Sequence, residues 1–200
     1  MEALHLTALL CVFFTSLSAK NNFKPGYIIN VNNDTIYGLI DYGAALHNAA
    51  HCRFRKDSSS VVINYLPAEL KGYGFTFNRH FVTKKVKLDA ASDSASFFLE
   101  HLVKGPVDLY FLDDRGLTHF FIEQKNVLYE LKNDLVEIVE NDVAYTKPSN
   151  KYKGILRYAL QDAPAIQPDI ERTAFNRKSL VALLEKYYRS LEKNSGYITY

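Results

Sequence analysis

Tyr27-Ile28-Ile29-Asn30-Val31-Asn32-Asn33-Asp34-Thr35-Ile36-Tyr37-Gly38-Leu39-Ile40-Asp41-Tyr42 sets apolar residues at alternate positions on either side of an Asn-Asn pair. Alternation puts Tyr27, Ile29 and Val31 on one face of a first segment and Ile36, Gly38, Ile40 and Tyr42 on one face of a second, and a side-chain period of two belongs to a strand. Asn32-Asn33 stands between the segments, and asparagine tolerates the left-handed backbone that a tight reversal needs. The stretch therefore reads as a β-hairpin, and the chain as far as about Val139 keeps the same pattern.

Beyond the hairpin, Cys52 and Phe54 alternate with Arg53 and Arg55, and Val61, Ile63 and Tyr65 follow in the same manner. Leu66-Pro67-Ala68-Glu69-Leu70 breaks the alternation with a proline and reads as a short helical turn. The Lys84, Lys85 and Lys87 cluster has the look of the solvated side of an edge strand. Phe97 to Val103 and the alternating Val107, Leu109 and Phe111 read as strands on either side of Lys104-Gly105-Pro106. Asp113-Asp114-Arg115-Gly116 has turn composition, and His119 to Ile122 is apolar on both faces, as a central strand should be.

After Pro148 the apolar period becomes helical. Ser149 or Asn150 can cap a helix over about 150–163, with Tyr152, Ile155, Leu156, Ala159 and Leu160 in one stripe. A last helix over about 177–194 can be capped by Asn176, and its apolar face is Leu180, Leu183, Leu184, Tyr187, Tyr188 and Leu191. Burying that face contributes on the order of 10 kcal/mol before entropy. The fold class expected is α+β: an N-terminal antiparallel β-meander or small barrel with C-terminal helices packed against it.

The 200 residues carry a formal charge of +2 and 48% hydrophobic residues, which suits a folded core and lacks the basic excess of a nucleic-acid binder. Leu6 to Phe14 is an apolar run of signal-peptide length, and Ser16-Leu17-Ser18-Ala19 supplies the small residues a signal peptidase reads. The run is shorter than the ~20 apolar residues that span a bilayer. The division expected is a signal peptide over 1–19, one β-rich domain with its helices over 20–196, and a tail over 197–200. Cys11 leaves with the leader, so Cys52 is the one cysteine of the mature chain and no intramolecular disulfide can form.

Catalytic and cofactor motifs leave spacings that can be searched for, and the sequence contains no Gly-x-Ser-x-Gly elbow, His-Glu-x-x-His, phosphate loop or Cys-x-x-Cys. A metal or thiol site would draw on His47, His51 and Cys52, because imidazole and thiolate are good zinc ligands. Yet His51 and Cys52 are neighbours on a strand and point to opposite faces. No metal and no cofactor are assigned. The fourteen tyrosines and thirteen phenylalanines, with no tryptophan, either fill the core or offer rings to a ligand. If they form a binding face, Tyr42, Tyr73 and Phe75 are the residues expected to carry it.

Pro25-Gly26-Tyr27-Ile28, Asp34 to Tyr42, Tyr65 to Tyr73, Phe98-Leu99-Glu100, Leu109-Tyr110, Phe120-Phe121-Ile122-Glu123 and the terminal leucine-rich helix together resemble uncharacterised envelope proteins of Bacteroidetes-type bacteria, over most of residues 23 to 191. The resemblance implies export and a place in the periplasm, at the outer membrane or on the cell surface. Some of those relatives carry an outer-membrane barrel after such a domain. The function expected is a non-enzymatic module for binding or assembly, partnered by an envelope protein or a glycan, without nucleic acid and without a transmembrane span. Two alternatives stand beside it: a hydrolase or thiol- or metal-dependent enzyme centred on Cys52, and a carbohydrate- or peptide-binding module using exposed aromatics.

Overall fold

The structure is a computed structural model that describes residues 22–43, 49–77, 79–88, 93–114, 116–191 and 196–200. The expected leader and His47 lie outside the described residues. Ten strands form one antiparallel path: β1 (Phe23–Asn30), β2 (Thr35–Asp41), β3 (Cys52–Arg55), β4 (Ile63–Tyr65), β5 (Leu70–Phe75), β6 (Arg79–Val86), β7 (Ala95–Lys104), β8 (Val107–Asp114), β9 (Leu117–Gln124) and β10 (Val127–Leu131). Their order is β10-β9-β8-β7-β6-β5-β1-β2-β3-β4. A separate hairpin, β11 (Leu135–Glu140) and β12 (Val143–Pro148), precedes three helices, α1 (Lys151–Ala159), α2 (Gln167–Arg172) and α3 (Arg177–Ser190). A last short strand, β13 (Ile198–Thr199), pairs with β7.

The architecture is thus α+β, and its sheet is not closed into a barrel. It does curl. β5 and β4 end the run β5-β1-β2-β3-β4, and four strand spacings would separate them by about 19 Å if the run were flat. The link from Tyr65 to Leu70 contains the 3-10 turn Pro67–Glu69, and at about 2 Å per residue in that turn it spans only about 13 Å. This half must therefore bend around its own inner face. That face holds Ile28, Ile40, Cys52, Phe54, Leu70, Tyr73, Phe75, Phe81 and Phe98. Among the described residues β4 and β5 exchange no ladder bonds, which leaves the curl open.

The hairpin reading of residues 27–42 holds, and the burial refines it. On β2 the interior takes Ile40 with Ile36 packed against it, while on β1 it takes Ile28, so Tyr27 and Ile29 lie on the opposite, outer face. Asn30 shapes the reversal, accepting the Asn32 and Asp34 N–H groups on its side-chain oxygen, both at 2.9 Å, and Asn33 has a positive φ of 70°.

From β7 to β10 the same inner face is covered by helices instead. Leu102, Val107, Leu109, Phe120, Ile122 and Leu131 pack against Leu156, Ile170, Leu180, Leu184, Tyr187 and Tyr188. The α3 stripe is the expected one, and Asn176 caps the helix by accepting the Ser179 N–H at 2.9 Å. The first predicted helix is shorter than expected, because Pro164 starts a separate 3-10 turn. β9 is internal, with Phe120 and Ile122 on one face and Phe121 on the other, as its two-sided apolar pattern requires. β6 is a correction to the expected edge strand: it lies between β5 and β7, and Lys84 faces Glu123 across the sheet at 2.6 Å.

Where the two halves of the inner face meet, Glu100 takes a bidentate bond from Arg79 (2.9 and 2.6 Å) and another from Arg177 at the start of α3 (3.0 and 2.5 Å). Burial would raise the Glu100 carboxyl, but the two guanidiniums outweigh it and hold the group below its ordinary range. This ion triad fastens α3 to the curled half. Among the described residues no helix is long and apolar enough to cross a membrane.

Candidate functional site

The residues singled out by sequence are mostly interior. Tyr73 and Phe75 are each 1% exposed, so neither offers a ring to a ligand. Their rings pack on Phe81, Phe98 and each other. Tyr42 is half-buried at the rim of the same core, edge-on to Phe75 at 5.4 Å. The proposed platform of Tyr42, Tyr73 and Phe75 is therefore not a surface, because on β5 the glycines take the outer positions and the aromatics the inner ones.

Cys52 is buried in that core, and burial pushes its thiol well above the usual range, so it is held as a protonated small hydrophobe. His51 turns the other way and its Nδ1 is 3.0 Å from the Asn64 amide nitrogen. Among the described residues no group of three or more His, Cys, Asp or Glu is placed to hold a metal ion.

The outer face carries a different arrangement, built from strands far apart in sequence. Tyr27 on β1 and His80 on β6 flank Gly74 of β5 in register. A Cβ at Gly74 would come within 2.6 Å of the Tyr27 hydroxyl and 2.9 Å of His80 Nδ1, so glycine there lets the two side chains meet over β5 in a hydrogen bond. On one side Tyr37, opposite Tyr27 on β2, extends the row at 5.9 Å between ring centroids. On the other, Tyr200 lies against His80 at 4.0 Å and His101 at 5.5 Å, and His101 lies 4.6 Å from Tyr110.

Six rings, Tyr37, Tyr27, His80, Tyr200, His101 and Tyr110, thus form a ladder with steps of 4.0 to 5.9 Å. It descends from solvent, with Tyr37 65% exposed, to the interior, with Tyr110 only 3% exposed. β13 contributes to it: the Tyr200 N–H donates to the Leu102 carbonyl at 3.0 Å and Tyr197 stacks on Tyr188 at 4.8 Å. Tyr200, among the residues expected to be a tail, therefore completes the face.

The inner end of the ladder is fixed by polar contacts. His101 Nε2 is 3.0 Å from Asp108, which also accepts the Gly105 N–H at 3.0 Å and the Tyr110 hydroxyl at 3.2 Å. Burial would raise the Asp108 carboxyl, but these three bonds outweigh it and hold it low. Tyr110 also donates to Glu123 at 2.8 Å, and burial with the two carboxylates pushes its phenol up. His80 is shifted down, first by burial and then by His101 and Lys104, which favours a neutral ring beside Tyr27. Chemically the ladder is a row of π-faces with polar rims, held in place by hydrogen bonds at one end and open at the other.

A cleft of about 360 Å³ lies elsewhere, at the ends of β9 and β10. It contains His119, whose Nδ1 is 2.9 Å from Glu130, a carboxylate also paired with Lys132 at 3.2 Å. His119 Nε2 is enclosed and without a partner among the described residues. The β11–β12 hairpin rises beside the cleft with Leu135, Val139 and Val143 exposed. Its Asn141-Asp142 turn, with both residues at positive φ, is the signal in the sequence that reveals it. No protein-family model, no curated protein and no solved structure matches the chain.

Proposed function

We propose that the chain is an exported module of the bacterial cell envelope that binds rather than catalyses, with the outer end of the ring ladder as its contact surface. The observation that carries the reading is the ladder itself. Tyr37, Tyr27 and His80 come from three strands, Tyr200 directly follows β13, and all four lie on the sheet face opposite the curled core. Aromatic rings that keep an apolar face and a polar tip near water are suited to recognition. Export is supported by the Leu6–Phe14 run and its small-residue site, and an envelope location by the resemblance carried by residues 23 to 191.

The thiol-enzyme alternative has little to stand on at Cys52, since a buried, protonated sulfur is neither a nucleophile nor a good metal ligand. The carbohydrate- or peptide-binding alternative joins the main reading once the rings are moved from Tyr73 and Phe75 to the outer face. The test has two parts: N-terminal sequencing of the protein recovered from its own cells, and photo-crosslinking from position 37 in the intact envelope. A mature start at Lys20 and a specific adduct at position 37 are expected. A cytosolic protein beginning at Met1 would remove export, and crosslinking no stronger from position 37 than from exposed Val61 would remove the ladder as the contact surface.

A further inference from the structure

The chemistry of the ligand can be narrowed from the pitch, tilt and charge of the ladder, an argument that rests on the binding reading above. We infer that the outer face binds a single strand of neutral glycan lying across the strands, with successive sugar rings on Tyr37, Tyr27 and the His80–Tyr200 pair.

Pitch comes first. Tyr37 and Tyr27 stand on adjacent strands, Tyr27 and His80 reach towards each other across β5, and the three rings follow at 5.9 and 5.9 Å, close to the advance per sugar in an extended glycan, with Tyr200 set 4.0 Å from His80 at the last place. A pyranose presents C–H groups on its faces and hydroxyls around its rim. That matches π-faces whose edges carry the Tyr hydroxyls and imidazole nitrogens.

Tilt decides between a free strand and a crystalline surface. Neighbouring rings are inclined at 59°, 46° and 58°, so no flat sheet of packed polysaccharide can touch them all, whereas one twisted strand can. Charge excludes a nucleic acid, and strand pairing excludes a peptide bound by strand addition. Lys84 is matched near the ladder by Glu123, and a nucleic acid needs a cationic excess. A peptide bound by strand addition needs an unpaired sheet edge, but β1, β5 and β6 already pair on both sides.

The test titrates the full chain with soluble cello-, malto-, xylo- and N-acetylchito-hexaose, following tyrosine emission, which no tryptophan masks because the sequence has none. At least one hexasaccharide is expected to bind with a Kd of about 1 mM or tighter. The matching monosaccharide should bind far more weakly, and the insoluble crystalline form of the same glycan should not retain the protein. Tyr37→Ala should weaken binding by roughly tenfold, the size of one lost aromatic contact, and Tyr37→Phe should restore most of it. Tyr37 is exposed, so its variants keep the fold. No binding tighter than about 10 mM by any of the four, or binding indifferent to Tyr37→Ala, overturns the inference. If position 37 then crosslinks specifically to a protein in the envelope, the contact surface stands and only the glycan falls. If it crosslinks to nothing specific, both fall.

Discussion

The curled half of the sheet and the helix-covered half bury the same inner face by different means. From β7 to β10 three helices supply the cover, and the outer face holds a second buried cluster of Leu99, Tyr110, Leu112 and Phe121. From β5 through β1 to β4 the sheet bends over its own aromatic side chains. The outer face of the curled half is the one left with tyrosine rings near solvent, such as Tyr37 and Tyr27. The aromatic load therefore serves two ends: rings facing in replace the helices the curled half lacks, and rings facing out, such as Tyr37, stand near solvent. Gly74 separates these roles within three residues, between Tyr73 and Phe75 pointing in and the Tyr27–His80 contact over it.

The largest effects are expected in the two cores. Phe75→Ala should cost about 3–5 kcal/mol and Leu184→Ala about 2–5 kcal/mol in urea unfolding, since each leaves a cavity among fully buried neighbours. If the halves form one cooperative unit, both variants lower the same single midpoint. Two transitions, each moved by one variant only, would show that the halves unfold separately.

Next in size is Glu100→Gln, which leaves two guanidiniums without their carboxylate and should cost on the order of 2 kcal/mol. Glu100 is shifted down in the folded state, so its contribution is complete above the ordinary carboxylate pKa and is lost as pH falls through the lowered folded value. Acid unfolding curves of the wild type and Glu100→Gln should therefore converge at low pH and separate towards neutrality. A constant separation would contradict the ion-triad account. Gly74→Ala should cost about 1–2 kcal/mol by forcing Tyr27 and His80 apart. Its larger consequence would be loss of ligand binding. The smallest change in stability, within about 0.5 kcal/mol, is expected for Tyr37→Ala, because the side chain is mostly in solvent.

Much of the fold was legible because its cues are local. The alternation around Asn32-Asn33, the two-sided apolar pattern of β9 and the Asn176 cap each concern residues a few positions apart. What was not legible depends on which strands become neighbours. Lys84 to Lys87 read as an edge because nothing local shows that β5 and β7 flank β6. The ladder draws on residues 27, 37, 80, 101, 110 and 200, and no spacing in the chain links them until β1 pairs with β5. Tyr73 and Phe75 alternate with glycines, and only the pairing of β5 shows that the glycines mark the outer face and the rings the inner. The β11–β12 hairpin could have been found from Asn141-Asp142 between apolar residues.

The most direct test is an NMR titration of the full chain, with tyrosine rings selectively labelled, against the soluble hexasaccharide that binds best. Shifts concentrated on Tyr27, Tyr37 and Tyr200, with Tyr73 and Tyr187 unmoved, are the result predicted for a ligand lying across the outer face. Shifts confined to Tyr145 on the β11–β12 hairpin, or to Tyr129 on β10, would place the contact elsewhere and contradict the division of labour between inward and outward rings.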